Sequence, residues 1–131
     1  MDYSKKIFEI LDRDRADLRR VEIKLPKETI ELYFKPFTST QHRDCIARAT
    51  KTKEIKEINS DTIREEKYIC EYTYISAIIY YQALDKDGNR IFNSLLDIDR
   101  IRDKMPYTKM SYLASIMGAD IEQEIRDITN G

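Results

Sequence analysis

The side chains best suited to covalent or metal chemistry in this chain are His42, Cys45 and Cys70. An imidazole and a thiol three residues apart share one face of a helix, so His42 and Cys45 could pair as base and nucleophile, or join Cys70 as zinc ligands. His42 is the single histidine of the sequence, which excludes HExxH and every site built on several histidines. The simpler reading places His42 near solvent in a first helical turn and Cys45 in the core, and no catalytic role is assigned to either. Both cysteines fall on predicted helices and are expected to be reduced, buried and inert, with a disulfide between them as the open alternative.

Carboxylates are the next candidates. Asp97, Asp99 and Asp103 lie close in sequence, but no histidine or second acidic cluster accompanies them, so helix capping and solvation account for them. Asp85-Lys86-Asp87-Gly88-Asn89 resembles the start of a calcium loop and fails on register. Counted from Asp85, the glycine falls fourth instead of sixth and Leu96 stands where the twelfth-position glutamate belongs. It reads as a turn. The glycines are three, Gly88, Gly118 and Gly131, too few and too scattered for a phosphate loop, a dinucleotide fingerprint or a nucleophile elbow. The expectation is a protein without catalytic, cofactor-binding or metal-binding residues.

The elements that would position these groups follow from hydrophobic period. Tyr3 to about Asp12 is a short amphipathic helix carrying Ile7, Phe8, Ile10 and Leu11, with Asp2 or Ser4 as cap. The mixed-charge run from Arg13 to Arg20 reads as a solvated connection. From Val21 the period is two. Val21, Ile23 and Leu25, then Ile30, Leu32 and Phe34, alternate with polar residues around Pro26-Lys27-Glu28, the pattern of a β-hairpin with one apolar face. Thr38 three residues before Gln41 is a capping box opening a helix with Cys45, Ile46 and Ala49 inward. That helix is expected to continue as a polar, exposed half through KTKEIKEINS, where Ile55 and Ile58 are the only apolar anchors.

Asp61 is then expected to cap the helix that organises the chain. It begins charged and becomes apolar on all sides by Ile75 to Leu84, so it must be covered all round, and Ile69 to Leu84 reads as the central rod. The turn at Asp85 to Asn89 stops it. A short helix around Leu96, Ile98 and Ile101 follows, capped from Asn93-Ser94 or Asp97. Pro106 opens the next helix, with Met110, Leu113 and Met117 on one face and Gly118 as stop, and Asp120 caps a last one with Ile121, Ile125 and Ile128. The fold class is α+β, mainly α: a small N-terminal β-hairpin packed on a bundle of about five helices. All 131 residues form one domain, with a helical arm at 1–20, the hairpin at 21–36 and a helical region at 39–129.

Charge and length bound the function. The 23 Lys and Arg balance 24 Asp and Glu, so the basic excess of a nucleic-acid binder is missing, and Lys51, Lys53 and Lys56 are interleaved with Glu54 and Glu57. No apolar run approaches the ~20 residues that span a bilayer, and the N-terminus is too charged for a signal peptide. A soluble cytoplasmic protein with no nucleic-acid or membrane partner is expected. Five of the nine tyrosines, Tyr68, Tyr72, Tyr74, Tyr80 and Tyr81, are read on the central helix, and Met105, Met110 and Met117 lie around the penultimate one. Tyrosine pairs apolar area with a polar tip, and methionine repacks against varied partners. Such stripes belong to a core more often than to an interface. The candidate partner-binding residues are Tyr68, Tyr72, Met110 and Met117.

The order of these elements carries a resemblance. A hairpin, the phrase from Phe37 to Asp44 opening a helix, an apolar helix ending in Leu84-Asp85-Lys86-Asp87-Gly88-Asn89-Arg90-Ile91-Phe92, a short acidic helix and a closing helix resemble the tail assembly chaperones of long-tailed bacteriophages. The likeness covers roughly Val21 to Gly118. It implies a non-enzymatic protein of the host cytoplasm that binds the tape measure protein, helps recruit the major tail tube protein and is absent from the mature virion; a second copy of the chain is the other partner that Tyr68, Tyr72 and the methionine face could bind. A permanent virion component such as a tail-completion or connector protein, or a small cytosolic adaptor, is the alternative.

Overall fold

A computed structural model describes residues 2–58 and 61–118. The expected last helix from Asp120, with Ile121, Ile125 and Ile128, lies outside the described residues. Asp2 starts the chain's first element by accepting from the Ser4 and Lys5 backbone N–H groups at 3.1 and 3.3 Å, the ordinary N-cap arrangement. Helix α1 then runs Tyr3–Ala16, four residues past its expected end, and none of its residues is buried. The Arg13–Ala16 run that reads as a connection is helical, since Arg and Ala both favour helix, and Asp17 ends it.

The first hairpin forms where alternation places it. Strand β1, Arg19–Lys24, pairs antiparallel with β2, Thr29–Phe34, in the register Val21↔Leu32 and Ile23↔Ile30. Val21, Ile23, Leu32 and Phe34 are buried. The Leu25 N–H donates to the Glu28 carbonyl and closes the Pro26-Lys27 turn.

Thr38 and Gln41 make the reciprocal capping box read from the sequence, and α2 spans Ser39–Ala49. Beyond Ala49 expectation and structure part. The polar run expected to prolong α2 is strand β3, Thr50–Lys56, and the expected charged start of the central helix is strand β4, Ile63–Ile69, paired with it antiparallel from Thr50↔Ile69 to Lys56↔Ile63. The helical region expected over 39–129 is therefore interrupted by a second hairpin. The Cys70 N–H donates to the Ala49 carbonyl at 2.8 Å, so the hairpin leaves and re-enters the body at one point. Nearly all of its residues are exposed.

Helix α3 accordingly begins after Cys70 and not at Asp61, and spans Glu71–Gln82. Thr73, Ile75 to Tyr80 and Gln82 are buried, so the rod is covered on all sides by α2, by α4 at Leu96–Lys104 and by α5 at Tyr107–Met117. Full burial of a side chain such as Ile79 contributes about 1.5–3 kcal/mol, and α3 supplies several. The stop is a tight turn. Asp85 Oδ1 accepts from the Asp87 and Asn89 N–H groups at 2.9 Å each, and Gly88 takes a φ of 84°, which an L side chain resists. Leu84 exchanges two backbone hydrogen bonds with Tyr33, so the returning chain lies along β2, and β1 is left as the outer strand.

The α4 start is capped reciprocally. Ser94 Oγ accepts from the Leu96 N–H, and an Asp97 carboxylate oxygen accepts from the Ser94 N–H. Pro106 precedes α5, and Gly118 caps its end. The architecture is α+β, mainly α: five described helices, with the N-terminal hairpin packed on them and one continuous core from Val21 to Met117.

Candidate functional site

The residues singled out for chemistry are not assembled into a reactive centre. The His42 ring packs edge-on between Phe37 and Tyr74, with ring centroids 6.0 and 6.1 Å away. Cys45 is buried in α2, and burial, followed by the Asp44 charge, pushes its thiol up to about 12, the opposite of an activated nucleophile. Cys70 stands just before α3 instead of on it. The Thr73 hydroxyl donates to its sulfur at 3.4 Å, which favours the thiolate and lowers its pKa. Both thiols are free. Among the described residues, no three His, Cys, Asp or Glu side chains are grouped to hold a metal ion.

The acids of α4 are committed locally. Asp97 meets Arg100 at 3.4 Å, while Asp99 and Asp103 meet Arg102 at 3.1 and 3.2 Å. On the second hairpin Lys53 faces Glu66 and Glu54 faces Glu65, so charges of both signs are mixed along the ladder and make no stripe of one sign.

The four candidate partner-binding residues divide two and two. Tyr68 is 48 % exposed, but on β4 and not on the central helix, and Tyr72 is 54 % exposed near the start of α3. Tyr72 stacks edge-on with exposed Tyr107 at 5.6 Å, making a two-ring surface patch. Met110 and Met117 are core residues, at 2 % and 1 % exposure, and this corrects their reading as surface. Met110 Sδ accepts from the Ser76 hydroxyl at 3.2 Å, so both methionines fill space between α3 and α5. Tyr74 also turns inward; burial, then Cys45, raises its phenol to about 12.

Three surfaces stand out instead. Along α1, Ile7, Phe8, Ile10 and Leu11 are all exposed, Phe8 to 64 %. The sequence showed this amphipathic pattern, and only the structure shows that nothing covers it among the described residues. An apolar groove of about 430 Å³ lies between the hairpin and α4, floored by Ile23, Leu25, Ile30 and Met105 and rimmed by Arg100, Lys104 and Lys109. A second groove of about 890 Å³ is lined by β1 and α5, which also pack against each other. Neither groove is local in sequence. Each joins residues some 80 positions apart, roughly speaking, and a period of two or 3.6 cannot signal that.

Compared with protein-family models, with the curated proteins and with solved structures, the chain matches none. Among the described residues no helix is long and apolar enough to cross a membrane.

Proposed function

We propose that the protein is a tail assembly chaperone of long-tailed bacteriophages, a non-enzymatic binder of the tape measure protein that acts in the host cytoplasm and helps bring tail tube subunits to it. Two lines support this reading. The first is the order of elements from Val21 to Gly118, including the Asp85 to Phe92 phrase. The second, which carries the reading physically, is α1: fourteen helical residues with an apolar face and no residue buried. A helix presenting such a face is suited to lie along an apolar stripe of a long helical client. Covering the half-exposed Ile7, Phe8, Ile10 and Leu11 would contribute roughly 3–6 kcal/mol before the cost of association, an affinity range that permits release. Exposed Tyr72 and Tyr107 offer a second contact of the same kind.

The test is co-expression with the tape measure candidate encoded beside it. The client is expected to be soluble and to be retained on the tagged chain. Ile7→Ser, Phe8→Ser and Leu11→Ser together should abolish retention while leaving the thermal midpoint within a few degrees. Retention unchanged by those three substitutions, or recovery of the chain in stoichiometric amounts from purified particles, would overturn the proposal.

A further inference from the structure

The register of the first hairpin decides where each backbone group of β1 points. Tyr33 exchanges both of its backbone hydrogen bonds with Leu84, so on β2 it faces away from β1, and Arg20↔Tyr33 is a non-hydrogen-bonded pair. By alternation Glu22↔Glu31 and Lys24↔Thr29 are of the same kind. The bond from the Leu25 N–H to the Glu28 carbonyl confirms the phase, since it continues the bonded series through Val21 and Ile23. The N–H and C=O groups of Arg20, Glu22 and Lys24 therefore point outward from β1. Among the described residues that edge has no neighbouring strand.

An uncovered edge is common, and a walled one is not. Here Arg20 to Lys24 form one side of the 890 Å³ groove, and Thr108, Lys109, Tyr112 and Ile116 of α5 form the other. The helix runs opposite to the strand. Its Lys109 shares the apolar groove with Ile23 and Leu25, whereas Met117 is tied through Gln82 to Lys35, next to the start of β1. A strand edge facing a helix across an open channel is the arrangement that takes up an extended peptide by adding it as a further strand.

The walls also specify the occupant. At the far end Lys24 and Lys109 have no carboxylate within ion-pair distance among the described residues, whereas Arg20 is already engaged by Glu22 and Glu31. At the near end Tyr112, 49 % exposed, and half-buried Ile116 make an apolar shelf. We propose that the β1 edge and α5 form a strand-docking groove for an extended segment of a partner protein, apolar where it passes Tyr112 and Ile116 and acidic where it passes Lys24 and Lys109. This goes beyond the chaperone reading and does not rest on it.

The test uses the full chain, labelled with ¹⁵N, and a capped seven-residue probe peptide of alternating valine and threonine that ends in two aspartates. Binding should shift the amides of Arg20, Glu22, Lys24 and Tyr112 and slow hydrogen exchange at the first three. A probe ending in two lysines should bind at least tenfold more weakly. Glu22→Pro removes one outward N–H and no hairpin bond, and should weaken the probe at least tenfold, while Glu22→Ala stays within threefold. If the proline variant fails to fold, Lys24→Glu with Lys109→Glu decides the matter by reversing the preference toward the basic probe. Equal binding of the two probes, or shifts confined to α1 or the apolar groove, would overturn the proposal. So would protection of the three amides in the unbound chain: at all concentrations it would assign the edge to residues 119–131, and only at high concentration to a second copy.

Discussion

Gln82 is the side chain whose replacement tests the packing argument most sharply. It is 2 % exposed at the end of α3, and its Nε2 donates to the Lys35 carbonyl at 2.7 Å and to the Met117 carbonyl at 2.8 Å. One amide thus joins the segment after β2 to the last turn of α5, where helix carbonyls lack intrahelical donors. Gln82→Met keeps length and flexibility but leaves two carbonyls without that donor. At about 1–3 kcal/mol for each of the two buried unsatisfied groups, the loss should be roughly 2–6 kcal/mol, a large share of a domain's stability. Urea denaturation with an unchanged m-value would measure it. Gln82→Glu should be worse near neutrality, because a carboxylate cannot donate and would face two carbonyl oxygens. Burial raises its folded pKa above the unfolded value of about 4.3, so the variant is least impaired below that pH and loses stability as pH rises toward the folded value. A loss under ~1 kcal/mol for Gln82→Met, or a Gln82→Glu deficit equal at acid and neutral pH, would refute the reasoning.

Four further outcomes follow from the same structure. With its thiol held up to about 12 against an ordinary 9.0, Cys45 stays protonated in the folded chain while the unfolded chain ionises, so stability present below pH 9 is lost as pH rises toward 12. The stability gap between the wild type and Cys45→Ala should therefore narrow by about 1.4 kcal/mol between pH 8 and pH 10, read by denaturation at each pH. Iodoacetamide on the native protein should label Cys70 and spare Cys45, and comparable labelling by mass spectrometry would contradict the burial and polarity assigned to them. Gly88→Ala should cost about 1–2 kcal/mol from its positive φ alone, since the nearest Leu18 carbons would lie an ordinary 3.9 Å from the new methyl, and Gly88→Asn should cost less. Replacing residues 51–68 by a short Gly-Ser loop should lower the thermal midpoint by no more than about 4–8 °C, because the excised strands bury almost nothing and the Cys70 to Ala49 bond remains.

What could be read from the sequence is what burial writes into it. The first hairpin showed its period because one face of Val21, Ile23, Leu32 and Phe34 enters the core. The capping box at Thr38 and Gln41, the Asp85 turn and the Met110, Leu113, Met117 face were legible because each depends on residues three to four positions apart. The second hairpin was missed for the converse reason. Neither of its faces is buried, so charges occupy both, and Ile55 and Ile58 happened to stand at helical spacing. Its signal lay in composition: Thr50, Thr52 and Ile55, then Ile63, Tyr68 and Ile69, flank Asn59-Ser60-Asp61, residue types that favour turns. The misplaced helix start carried Tyr68 with it.

The surface was less legible than the core, and for a different physical cause. Whether Met110 faces a client or Ser76, and whether β1 or β2 is the outer strand, depends on what long-range packing places beside each. Tyr33 and Leu84 settle the second question across 50 positions, roughly, by two hydrogen bonds that no local pattern encodes. Because α3 buries itself all round, the body closes without α1, without the second hairpin and without the outer edge of β1. Each can then be altered with little effect on the core, which makes binding and stability separable in this protein: substitutions on α1 or at Lys24 and Lys109 should change what is bound, and substitutions at Gln82 or Ile79 should change whether the chain folds.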